Sequence, residues 1–171
     1  AGAGIAGLSL ALALKQALGA AASVVLADPG IDAAPKADSR AYAVAAGAQA
    51  MLETLGVWDA VSAKAQPMTE MAISDSRAGD AVRPVFLTFD GEVEPGRPFA
   101  HMVESAALTA ELKAECRRVG AELRPLGVRR FRVEDDAVEI VFTEGAPERA
   151  ALLVAADGAR SRLREQAGIG W

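Results

Sequence analysis

Cysteine and histidine are almost absent, with Cys116 and His101 the single representatives in 171 residues. A lone cysteine has no internal disulfide partner, and one thiol plus one imidazole is too small a set for a zinc centre, so no metal is expected. Basic charge is also short. Lys and Arg number 18 against 23 Asp and Glu, a net charge of −5, the opposite of the basic stripe that displaces counterions from a nucleic acid. Long apolar runs are missing as well. Residues 5–14 form the most hydrophobic stretch, shorter than the roughly 20 residues that cross a bilayer and without the charged start of a signal peptide. The expected compartment is therefore the cytoplasm. With 51% hydrophobic and 24% charged residues, the composition is that of a globular chain of about one domain, not of a disordered acidic tail.

Glycine, by contrast, is concentrated where it has chemical meaning. The chain opens Ala1-Gly2-Ala3-Gly4-Ile5-Ala6-Gly7, a Gly-x-Gly-x-x-Gly pattern of the kind that follows a strand and opens a helix. No strand precedes it in this sequence, so a first strand is expected to be absent. Residues 5–18 predict a helix rich in Ala and Leu, apolar on most sides, with Gly19 as its stop. Residues 23–27 read as a short buried parallel strand ending at Asp28-Pro29-Gly30. In such a unit the glycines permit a tight turn, close approach of backbone to a pyrophosphate and close helix packing, while the helix N-terminus faces the phosphate charge. Asp28 follows the loop by about twenty residues, at a strand end, where a carboxylate accepts hydrogen bonds from an adenosine ribose. Gly2, Gly4, Gly7 and Asp28 are thus candidate dinucleotide ligands; the bland alternatives are small residues in an alanine-rich helix and a turn aspartate before Pro29.

Further along, residues 31–39 read as loop and 45–55 as a helix stopped by Gly56. Residues 68–89 read as a pair of strands around Arg77-Ala78-Gly79-Asp80. A helix from Ser105 to about Val119 carries Leu108, Leu112, Cys116 and Val119 on one stripe, with Gly120 as its stop. Residues 128–133 and 138–142 form a predicted antiparallel hairpin, since Val138, Ile140 and Phe142 alternate. A last apolar run, 151–156, leads into Asp157-Gly158 and a short helix from Ser161. No fixed-period repeat and no linker is visible.

Two further patterns accompany the glycine loop. One is Asp38-Ser39-Arg40-Ala41-Tyr42-Ala43-Val44 followed by Leu52-Glu53-Thr54-Leu55-Gly56-Val57-Trp58-Asp59; the other is Asp157-Gly158-Ala159-Arg160-Ser161-Arg162-Leu163-Arg164. With the glycine loop and the Val103-Glu104 pair, this order resembles the flavin-dependent aromatic hydroxylases of ubiquinone biosynthesis, within the group A FAD-dependent monooxygenases. The resemblance extends over nearly the whole chain. It implies an α/β fold, a Rossmann-like FAD-binding domain with inserted or appended antiparallel strands, over residues 1–171. Residues 68–103 would contribute strands to a substrate-side sheet and 128–142 the hairpin, with the first strand and a C-terminal half absent. Family members carry a second flavin motif in that half, and Gly79-Asp80 lacks its context.

By the same resemblance Gly2, Gly4, Gly7 and Asp28 hold the FAD pyrophosphate and ribose, and Arg40 approaches the flavin. Asp157, Gly158 and Arg164 contact FAD or NAD(P)H, and Glu104 is the weaker match because Ser105-Ala106-Ala107 follows it. An arginine suits the flavin side because it stays charged and offers several donors; otherwise Arg40 is a solvated surface residue. The implied activity is hydroxylation of a phenolic ring with O2, FAD and NAD(P)H. A small aromatic substrate is implied, with prenylated ubiquinone precursors and peripheral membrane or biosynthetic-complex contact among the options. No catalytic side chain is assigned, and the isolated chain is expected to be inactive. A nicotinamide dehydrogenase, an FAD-dependent reductase or dehydrogenase of the same fold, and a non-catalytic module remain as alternatives.

Overall fold

The computed structural model describes residues 1–33, 40–77 and 79–170. In chain order it comprises α1 (Ile5–Leu18), β1 (Val25–Ala27), β2 (Ala41–Ala45), α2 (Ala46–Thr54), α3 (Trp58–Ser62), β3 (Gln66–Met68), β4 (Glu70–Ser74), β5 (Val85–Asp90) and β6 (Glu92–Glu94). There follow β7 (Arg97–Pro98), β8 (Ala100–Glu104), α4 (Ser105–Arg118), β9 (Glu122–Arg124), β10 (Val128–Val133), β11 (Val138–Phe142), β12 (Glu148–Ala150) and α5 (Arg162–Gln166). The chain divides into two compact units, one of Ala1–Ala37 with Leu108–Trp171 and one of Asp38–Ala107.

In the first unit β1 runs parallel to β9, with Leu26 opposite Leu123. Helix α1 ends at Gly19, whose positive φ of 54° lets its N–H reach back to the Lys15 carbonyl, as a C-terminal glycine does. Leu8 and Leu12 on α1 and Leu108, Leu112 and Cys116 on α4 have lost essentially all solvent exposure. The Cys116 thiol donates to the Leu8 carbonyl at 3.3 Å, so the two helices touch. Each leucine buried this way contributes about 1.5–3 kcal/mol. The sheet β10-β11-β12 is antiparallel, and its Ile140 and Phe142 form a core with Ala27 of β1. That packing seats the hairpin against the end of β1, where Asp28 begins.

The second unit is built on the antiparallel sheet β2-β8-β3. Helices α2 and α3 supply its buried Leu52, Trp58 and Val61, and Trp58 meets the sole histidine, His101, edge-on at 5.2 Å. β4 pairs with β5 and β6 with β7, all antiparallel.

The mixed fold and the hairpin at 128–142 follow the sequence. Several features differ from it. Residues 41–45, for which no strand is predicted above, pair with 100–104 as strands β2 and β8. The apolar run 151–156, given no element above, forms no strand ladder among the described residues. Its backbone bonds are Ala1 N–H to Val154 O at 2.8 Å and Ala156 N–H to Ala1 O at 2.7 Å, one bridge and no continuing partner among the described residues. Leu152 is accordingly 71% exposed. Helix α1 is buried along one face and not all round, with Leu10 and Leu18 exposed. No helix among the described residues is long and apolar enough to cross a membrane.

Candidate functional site

The glycine loop is pinned from both flanks. On the β1 side Gly2 N–H donates to Ala27 O at 2.9 Å, and on the other Ala156 N–H donates to Ala1 O. Gly2 adopts φ +99°, and a Cβ there would lie 2.2 Å from the Ala156 carbonyl oxygen. A Cβ on Gly7 would lie 1.9 Å from the Gly2 carbonyl oxygen. Both contacts are far inside van der Waals distance, so these two positions are glycine for packing. Gly4 is different: a Cβ there would meet nothing within 4 Å, and its backbone is ordinary extended chain at φ −74°.

Gly4 is also the N-cap of α1, which has neither a side-chain cap nor an acidic residue in its first turn. The first N–H groups of a helix have no intrahelical partner. Here they are left with their partial positive charge toward the open side of Gly4, an anion-binding arrangement.

Asp28 continues the line of β1, its N–H donating to Arg124 O at 3.0 Å. One carboxylate oxygen accepts from Ala3 N–H in the loop at 2.8 Å and the other from Gly30 N–H at 2.7 Å. Asp28 is therefore both a clasp on the loop and, since each oxygen keeps a further lone pair, an acceptor for a hydroxyl beside it.

Asp157 is committed locally. One oxygen accepts from the Ser161 hydroxyl, and the other from Arg162 N–H at 3.1 Å and Leu163 N–H at 3.4 Å. Partial burial pushes its carboxyl upward, but the Ser161 hydroxyl and the backbone N–H groups outweigh this and hold it below the usual carboxylate range. Arg164 approaches the Ala159 carbonyl at 3.5 Å. Gly158, Ser161 and Arg164 share the wall of a cavity of about 600 Å³ with Phe131, Val138 and Leu153.

The structure thus brings Gly2, Gly4, Gly7, Asp28 and the backbone leading into Asp157 together in the first unit. Arg40 belongs to the second unit, where its carbonyl accepts from Ser105 N–H at 2.9 Å and the next residue, Ala41, faces Glu104. Arg40 and the Val103-Glu104 pair therefore share one corner of that unit. Asp38 and Ser39 of the Asp-x-Arg segment lie outside the described residues. The contribution of Ala3, Ala156 and Ser161 is not visible in sequence spacing, because two of them act through backbone and Ser161 looks like an ordinary cap. Among the described residues no group of three or more His, Cys, Asp or Glu is placed to hold a metal.

The chain is 34% identical over 171 residues to ubiquinone hydroxylase UbiL of Rhodospirillum rubrum, covering 99% of this chain and 38% of that protein. It is 32% identical over 181 residues to 3-demethoxyubiquinol 3-hydroxylase of Escherichia coli, covering 99% of this chain and 43% of that one. The chain therefore spans about two-fifths of the length of these relatives. Among solved structures, aklavinone-11 hydroxylase in complex with FAD and aklavinone superposes with a TM-score of 0.73 at 27% identity, over 98% of this chain and 34% of that one. The FAD binding domain family matches residues 1–171, and the chain belongs to that family.

Proposed function

We propose that this chain forms the FAD-holding part of a monooxygenase that hydroxylates a phenolic ring, a ubiquinone precursor, with NAD(P)H as reductant. The observation that carries the cofactor assignment is the contrast among the loop glycines: Gly2 and Gly7 are closed by backbone, while Gly4 alone opens on free space at an uncapped helix N-terminus. In this reading the pyrophosphate takes the open side of Gly4, with the first-turn N–H groups donating to its oxygens. Asp28, already fixed by Ala3 and Gly30, accepts from the adenosine ribose. Arg40 offers its guanidinium on the flavin side. Because Asp157 is engaged by Ser161 and by the start of α5, the backbone at Gly158 and the Arg164 side chain are what the Asp-Gly motif offers to FAD or NAD(P)H. When bound, the flavin supplies the redox and oxygen chemistry, and the protein supplies binding, orientation and exclusion of water.

The substrate assignment is supported by the two relatives, one named as a ubiquinone hydroxylase and the other as a 3-demethoxyubiquinol 3-hydroxylase. Access to a prenylated ring through peripheral membrane contact belongs to the same proposal. The test is to purify the protein, record its visible spectrum for flavin bands, and supply NADH or NADPH, O2 and a panel of alkylated phenols to the full-length protein. Flavin bands with substrate-dependent hydroxylated product are expected. Flavin reduction that never yields hydroxylated product would move the assignment to a reductase or dehydrogenase of the same fold.

A further inference from the structure

Resting on the reading that the glycine loop holds the FAD pyrophosphate, we infer that Ser161 is a positioning residue for that loop, linking α5 to the Asp157 carboxylate and so fixing the Ala156 backbone beneath Gly2. Ser161 is only 6% exposed. Its oxygen accepts from Arg164 N–H at 3.0 Å, the ordinary bond of a helix N-cap. Capping uses the acceptor half of a hydroxyl and nothing else. The donor half points to Asp157, and capping does not account for it. One oxygen atom that donates and accepts thus joins the helix to the carboxylate.

The position of Asp157 matters because the backbone before it has no slack. Ala156 N–H is bonded to Ala1 O at 2.7 Å. A Cβ on Gly2 would sit 2.5 Å from the Ala156 carbonyl carbon and 2.8 Å from Asp157 N, and one on Gly7 would sit 3.4 Å from the Ala156 Cβ. The peptide between Ala156 and Asp157 is therefore the floor on which the glycine turn rests. Asp157 is held by three donors at the start of α5, and Ser161 is the only one of them that is a side chain and can be removed by substitution. Loosening that link loosens the floor and spreads the loop's N–H groups away from the geometry a pyrophosphate needs.

The experiment titrates apoprotein with FAD and, separately, with ADP, which reports on the half held by the glycine loop. Three variants separate linkage from capping. Ser161→Thr keeps both halves of the hydroxyl, Ser161→Ala loses both, and Ser161→Gly loses the hydroxyl while costing an N-cap only a few tenths of a kcal/mol. Loss of one charge-assisted hydrogen bond from the floor should weaken FAD and ADP alike by about tenfold in the Ala and Gly variants, with Thr restoring affinity to near wild type. Far-UV circular dichroism and the melting midpoint are recorded alongside, and affinities are compared well below each midpoint. Should Ser161→Ala fail to fold, the Gly and Thr pair still decides. Wild-type affinity for both nucleotides in a folded Ser161→Gly protein, with only the melting midpoint lowered, would reduce Ser161 to a cap and overturn the inference. Wild-type protein that binds neither nucleotide would instead overturn the reading on which it rests.

Discussion

Asp28 illustrates how one side chain serves structure and ligand at once. Its two oxygens hold Ala3 N–H and Gly30 N–H, and a charge-assisted bond to ribose would add about 1.5–3 kcal/mol of binding. Asp28→Ala should weaken FAD roughly 10- to 100-fold in apoprotein titration and also lower the melting temperature, because two backbone donors lose their acceptor. Asp28→Asn keeps a neutral acceptor and should fall between. Unchanged FAD affinity in a folded Asp28→Ala protein would leave the residue with its turn role alone. Cys116 stands at the other extreme. Burial, with the Glu115 charge as a smaller contribution, pushes its thiol up to about 11. The folded thiol thus resists ionisation through the range in which an unfolded one, near 8.5, already ionises. Native protein at pH 8 should be inert to iodoacetamide and become reactive only on unfolding in urea, as read by mass spectrometry. Rapid native labelling would mean that the α1 and α4 packing opens.

At the scale of elements, the start of α5 depends on an ionised Asp157. Its folded-state carboxyl is held below the unfolded value, so the stabilisation is fully present above the unfolded carboxylate pKa of about 3.9 and is lost as pH falls through the lower folded value. Urea unfolding at pH 7, 5 and 3 should therefore show Asp157→Asn less stable than wild type at pH 7 and 5, with the gap narrowing at pH 3. A gap independent of pH would detach α5 from the carboxylate charge. Which elements are legible in sequence follows from how they are stabilised. The β10–β11 hairpin is legible because Val138, Ile140 and Phe142 alternate, and burial of Ile140 and Phe142 explains why. α1 and α4 are legible from their composition and glycine stops. β9 and β12, three residues each, are too short to display a period and exist because β1 and β11 offer them an edge. The run at 151–156 shows the converse: it is apolar, but a ladder needs a partner, and among the described residues its backbone bonds go to Ala1.

At the scale of the whole molecule, the candidate site was legible as residue types and spacing, since Gly2, Gly4, Gly7 and Asp28 do converge in one unit. What spacing could not reveal is the division of labour among them. Two glycines are demanded by the fold, one is left open, and Asp28 clasps the loop it flanks. Gly2 is closed by the distant Ala156 carbonyl, Gly7 by the Gly2 carbonyl within the same loop, and Asp28 by its bonds to Ala3 and Gly30, contacts that residue spacing alone does not encode. The wide apolar cavity beside the Asp-Gly motif, with Leu152 and Val133 more than two-thirds exposed, is the kind of surface that favours association.

The most direct test of the account is FAD titration of Gly4→Ala beside Gly2→Ala and Gly7→Ala, with folding followed by circular dichroism. A methyl at Gly4 meets nothing within 4 Å, so that variant should fold with wild-type stability yet lose FAD affinity by at least about tenfold, because the methyl occupies the approach of the pyrophosphate. The Gly2 and Gly7 variants should fail earlier, at folding, where the added carbon collides with backbone. A folded Gly4→Ala protein that binds FAD as tightly as wild type would contradict the assignment of the cofactor to this loop.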